Sequence, residues 1–111
     1  MTMLSARPPA PPDQIASDTS PGNPTSFALY DNYPNPFNSS THVTFALPEP
    51  CHVVIRVFDV LGQEMAVLVS EYKEAGVHVV GWNAEGAASG LYFYRMVAGD
   101  FAEMKTMILL K

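Results

Sequence analysis

Thr41-His42-Val43-Thr44-Phe45-Ala46-Leu47, then Pro48-Glu49-Pro50, then Cys51-His52-Val53-Val54-Ile55-Arg56-Val57 is the stretch that decides the fold. In both arms apolar residues recur at every second position, the period of a strand with one buried face. Taking Pro48-Glu49-Pro50 as a hairpin loop sets Leu47 opposite Cys51, Phe45 opposite Val53 and Val43 opposite Ile55 on one face. His42 then faces Arg56, and Thr44 faces Val54, on the other. One side is wholly apolar, as a sheet packed on one face requires.

The same period extends outward in both directions. Residues 27–30 make a short first strand. Beyond Gly62, which suits a turn, residues 64–69 read as a further short strand and 77–82 as another, with both faces partly apolar. A small-residue loop, Ala87-Ala88-Ser89-Gly90, leads into a strand over 91–98. Gly99-Asp100 suits a two-residue primed turn, and residues 101–110 close the set. Seven short strands and no amphipathic helix predict an all-β, antiparallel, immunoglobulin-like β-sandwich over residues 27–111. The register of the last hairpin stays open. A two-residue loop puts Tyr94 opposite Lys105, and one more loop residue puts Met104 there instead.

Upstream the composition changes. The first 26 residues hold six of the ten prolines, with Ser, Thr, Asp and Asn between them. Such a segment is expected to be a flexible tether, joined to something larger before it. The formal charge of −5, with six Lys and Arg scattered singly, argues against nucleic acid as a partner. No apolar run approaches the roughly 20 residues of a membrane-spanning helix. The chain has one cysteine, Cys51, so no internal disulfide is available. Its phase with Val53, Ile55 and Val57 makes it a small buried hydrophobe rather than a nucleophile.

Few residues point to chemistry. His42, His52 and His78 lack metal-ligand spacing, and Asp31, Asn32 and Asn35 match no regular calcium loop. No nucleophile elbow, phosphate-cradling loop or zinc-protease helix occurs, so neither catalysis nor a cofactor is expected. Trp82, Tyr92 and Tyr94 read as core, with Tyr92 a candidate corner tyrosine, or as a platform for a sugar. Tyr33-Pro34-Asn35-Pro36-Phe37-Asn38 reads as a rigid corner with Tyr33 and Phe37 plugged into the sandwich edge, or as a partner-binding loop. Lys105-Thr106-Met107-Ile108-Leu109-Leu110-Lys111 reads as a last strand, or as an address read by strand pairing. Its flanking lysines would also discourage aggregation.

Four of these segments occur in one order: 33–38, then Val57-Phe58-Asp59-Val60-Leu61-Gly62-Gln63-Glu64, then Ala88-Ser89-Gly90-Leu91-Tyr92-Phe93-Tyr94-Arg95, then 105–111. The set closely resembles the type A C-terminal sorting domain of the type IX secretion system of Bacteroidota, over residues 27 to 111. The resemblance implies a non-enzymatic β-sandwich that takes an upstream cargo from the periplasm through the outer-membrane translocon, for release or surface attachment. A sortase-like peptidase would be a second partner, with cleavage inside the Pro-rich spacer 1–26. It implies a recognition element of Lys105, Thr106, Met107, Ile108, Leu109, Leu110 and Lys111, together with the Gly99-Asp100 turn. Thr106 departs from the family, which often has a second lysine there, and Cys51 has no family role. The pattern is also similar to immunoglobulin-like domains of flagellar hook-capping proteins. Rival roles are a carbohydrate- or cell-wall-binding module and a passive spacer.

Overall fold

A computed structural model describes residues 24–111, so the expected tether falls almost wholly outside the described residues. Seven strands follow in chain order: β1 (Ala28–Leu29), β2 (Ser40–Leu47), β3 (Cys51–Phe58), β4 (Glu64–Lys73), β5 (Gly76–Asn83), β6 (Gly90–Ala98) and β7 (Phe101–Leu109). They form two antiparallel sheets, β1-β2-β5 and β4-β3-β6-β7, the two layers of a sandwich. Every expected strand is present. β4 runs four residues past its expected end at 69, because Ser70 to Lys73 pair with Val54 to Cys51 although their side chains are polar.

The expected β2–β3 hairpin does not exist. β2 pairs with β1 and β5, and β3 pairs with β4 and β6, so Pro48-Glu49-Pro50 carries the chain from one sheet to the other. Thus His42 lies opposite Gly81, and Arg56 lies opposite Val67 and Arg95. The apolar face was nevertheless right: Val43, Phe45, Leu47, Val53, Ile55 and Val57 are all fully buried. Alternation fixes which face a side chain takes, not which strand lies beside it. Two inward-facing sets meeting across a core satisfy the pattern as well as two sets side by side. The prolines, lacking N–H donors, favour the crossing over a ladder. Cys51 is half-buried at the core's margin rather than within it, and burial pushes its thiol above the ordinary value, Glu49 adding to this.

Two tyrosines on β6 lock the layers. The Tyr92 hydroxyl donates to the Ala88 carbonyl at 2.5 Å, the corner arrangement expected of it. Tyr94, fully buried, donates to the Tyr30 carbonyl at 2.7 Å and so ties the second sheet to the end of β1. Trp82 stands edge-on to Tyr92, their centroids 5.4 Å apart. All three aromatics are buried, so these three form no platform for a sugar ring.

Candidate functional site

β7 forms because its alternation matches a sheet edge and because Gly99 permits the turn that enters it. Gly99 has φ +58°, a value costly for any residue with a Cβ. The loop has two residues, so Ala98 faces Phe101 and Tyr94 faces Lys105, which closes the open question of register. The period of two then divides the proposed address. Met107 and Leu109 point inward and are fully buried, whereas Thr106, Ile108 and Leu110 point outward and are exposed.

The segment 33–38 lies against this strand. The Ile108 N–H donates to Asn35 Oδ1 at 3.0 Å, and the Phe37 N–H donates to the Ile108 carbonyl at 2.9 Å. The Leu110 N–H donates to the Phe37 carbonyl at 2.8 Å, so Phe37 makes a one-residue parallel bridge to Leu109. Beneath these bonds the Phe37 ring is buried against Trp82, centroids 5.8 Å apart. The corner is held in turn by Asn32 and Thr41, both buried. Thr41 Oγ1 donates to the Pro34 carbonyl at 2.8 Å, and Asn32 Nδ2 donates to Thr41 Oγ1 at 3.0 Å. One arm of the expectation fails, since Tyr33 is 80% exposed and plugs nothing. Its backbone instead pairs with His42, extending the first sheet.

The end of the sequence is also tied down. The Lys111 N–H donates to Ser89 Oγ at 3.0 Å, and its ammonium donates to the Glu85 carbonyl. Lys105 lies 3.2 Å from Asp31 and 3.7 Å from Glu103. The Asp31 carboxylate, bonded to the ammonium, raises the Lys105 pKa above the ordinary lysine value. Glu103 and Lys105 lie on the inward side of an edge strand, a placement that discourages edge-to-edge pairing. By alternation from Ile108, the backbone groups of Ala102, Met104 and Thr106 point to the open edge, where no described strand pairs with them.

The expected site residues therefore do not form one cluster. Lys105, Thr106, Met107, Ile108, Leu109, Leu110 and Lys111 share a strand and its exit, but Gly99 and Asp100 sit at the opposite end of the hairpin. Seven residue-to-residue steps of extended strand take Asp100 to Met107, roughly 23 Å. What sequence reasoning missed is the clasp: Asn35 and Phe37 are more than seventy positions from the residues they hold. No local pattern carries such a contact. The histidines lie apart on β2, β3 and β5, and among the described residues no three His, Cys, Asp or Glu side chains are placed to hold a metal. Among those residues, too, no helix is long and apolar enough to cross a membrane.

Comparison with protein families places the chain. A family model for a secretion system C-terminal sorting domain covers residues 31–110, which takes in the corner, the clasp and all of the last strand. No curated protein matches the chain significantly.

Proposed function

From the premise that the chain belongs to the family of secretion system C-terminal sorting domains of type IX secretion, we propose that it is the address that directs an attached cargo through the outer membrane. The role asks no chemistry of the domain; it asks for a surface that a translocon can read. The observation that carries the reading is the division of 105–111 on a clasped strand. Met107 and Leu109 anchor the strand in the core, while Thr106, Ile108, Leu110 and Lys111 are displayed. A receptor that added a strand at the open edge, or took Ile108 and Leu110 into pockets, would read those residues in a fixed geometry. Gly99-Asp100 would serve by turning β7 into register rather than by contact with the same pocket. Residues 1–26 would be the spacer to the cargo, and the place where a sortase-like peptidase cuts before release or surface attachment.

The test places residues 1–111 behind a periplasmic signal peptide and a fluorescent reporter, in a bacterium with a working type IX system. Cutting the chain after Met104 would remove two fully buried side chains and confound recognition with folding. The informative variant is Ile108→Asn with Leu110→Asp, which alters only exposed positions. Export of the parent fusion, with the variant retained in the periplasm yet folded, is the expected result. Equal export of both would mean that the displayed side chains are not the address. Periplasmic retention of a folded parent would refute the export role itself.

A further inference from the structure

The outward face of the four-stranded sheet carries a feature that export by the last strand does not use. Across β3, β6 and β7 one row reads Arg56, Arg95, Met104, and the next places Phe58 opposite Phe93. Two arginines are thus cross-strand partners, and like charges at such positions destabilise a sheet unless an anion sits near. Arg56 has one, Glu64 at 3.0 Å. Arg95 has none among the described residues. Lys73 and Lys105 are ion-paired and Lys111 binds a carbonyl, so Arg95 is the one described Lys or Arg without a partner.

Beside it lies an open groove of about 350 Å³, lined by Phe58, Phe93, Met104 and Val60 with Arg95 at its margin. Its lining is almost wholly apolar. Met104 is 54% exposed and Val60 64%, so both lining side chains present apolar surface to water. Asp59 also reaches the groove, but its Oδ1 already accepts the N–H groups of Leu61 and Gln63, each at 2.9 Å. The loop is thereby fixed and that carboxylate oxygen is engaged. An aromatic floor with an unpaired arginine at the rim is the composition of an interface hot spot.

We propose that this groove docks an acidic–apolar segment of a partner protein, one carboxylate meeting Arg95 and a neighbouring Leu or Phe side chain covering Met104 and Phe93. The charge selects the occupant. Arg95 is the cation of the lining that no described carboxylate reaches, so its missing complement is an anion set beside apolar side chains. The groove is open along its length, so a bound acyl chain would stay half in water, whereas a peptide needs to insert only alternate side chains. The proposal does not rest on the export reading.

The test uses the 111-residue chain with labelled methionine methyls and arginine side chains, followed by NMR. The probes are a panel of capped tetrapeptides pairing Glu or Asp with Leu or Phe, the same panel with Gln and Asn for the acids, and decanoate. Saturable shifts at the Met104 methyl and Arg95 Nε are expected with the acidic panel. Binding should weaken about tenfold for the amide panel, and again for Arg95→Gln, the loss expected for a charge-assisted bond. Arg95→Gln should leave the melting temperature unchanged or raised, since it relieves the pairing with Arg56. No shift with any acidic peptide, equal binding of both panels, or tighter binding of decanoate would each overturn the proposal. So would a large drop in melting temperature for Arg95→Gln, which would make the arginine structural.

Discussion

Asn35→Ala isolates the clasp without touching the core. The side chain contributes one hydrogen bond to the Ile108 N–H, at 3.0 Å and in contact with solvent. A net contribution of about 0.5–1.5 kcal/mol is expected for such a bond. The two backbone bonds between Phe37 and the last strand remain, as does the Phe37 ring under them. Three bonds together hold the exit of β7 by roughly 2–4 kcal/mol, so the clasp opens about 0.1–3% of the time. Removing one raises that population between about twofold and tenfold. Amide hydrogen exchange reads it directly: Leu110, whose N–H keeps its Phe37 acceptor, should exchange faster by that factor, and Ile108, which loses its acceptor, by at least as much, while Tyr94 and Ile55 amides, deep in the sheet, should change only with global stability. A loss near 1 kcal/mol would lower the melting temperature by about 4–8 °C for a domain of this size. Phe37→Ala is a poorer probe, because emptying that buried site costs about 3–5 kcal/mol and threatens the whole fold. If Ile108 exchange in Asn35→Ala matches the parent, the side-chain bond holds nothing and the clasp is backbone pairing alone.

Two further perturbations separate the layers of the argument. Burial above all, and the charges of Asp31 and Glu103 less, push the Tyr94 hydroxyl up to about 12, against a bond from Asn32 that lowers it. The folded state then holds this proton more tightly than the unfolded chain, so the stability is fully present below pH 10 and is lost as pH rises through 12. The loss is roughly 2–3 kcal/mol, read by urea unfolding between pH 9 and 12, and Tyr94→Phe should flatten this part of the curve. Parallel falls in parent and variant would refute it. Met107→Ala should cost about 2–5 kcal/mol, and Ile108→Ser within about 0.5 kcal/mol, measured by urea unfolding. Similar losses at both positions would contradict the inward–outward division of the last strand.

How far the sequence could be read depended on the range of the contact concerned. Strand positions, the inward set of β2 and β3 and the corner role of Tyr92 all follow from a period of two or from a nearby backbone partner. Partnership between strands does not, and the β2–β3 pairing failed for that reason. Val43 and Ile55 look alike whether they lie side by side in one sheet or face each other across a core. Alternation leaves the last hairpin between two registers, because both faces of β6 carry apolar groups, and the two-residue turn at Gly99 decides it. Tyr33 and Phe37 flank the same prolines, yet only Phe37 finds a pocket, which Trp82 of β5 provides from far along the chain. The clasp was beyond any local pattern, because an asparagine oxygen and a backbone amide bear no mark of each other in sequence.

The clasp also bears on how an address could report folding. In an unfolded chain Ile108 and Leu110 are two apolar residues among many, and nothing distinguishes the side that Met107 and Leu109 occupy. The distinction appears only when β6, the Asn35 corner and the Trp82–Phe37 contact are all in place, since each supplies part of the strand's pairing or its floor. A receptor that binds Thr106, Ile108 and Leu110 on one side of an extended strand would therefore favour folded domains without any separate check. The open fraction of the clasp sets the opposite limit. If the receptor needs the exit of β7 free of Phe37, its apparent affinity falls by the population of the open state, about 30-fold to 1,000-fold for 0.1–3% open. Asn35→Ala would then improve receptor binding while lowering stability, whereas a receptor that reads the clasped strand would lose affinity with the same substitution. Export measured with that one variant, beside its melting temperature, distinguishes the two modes of reading.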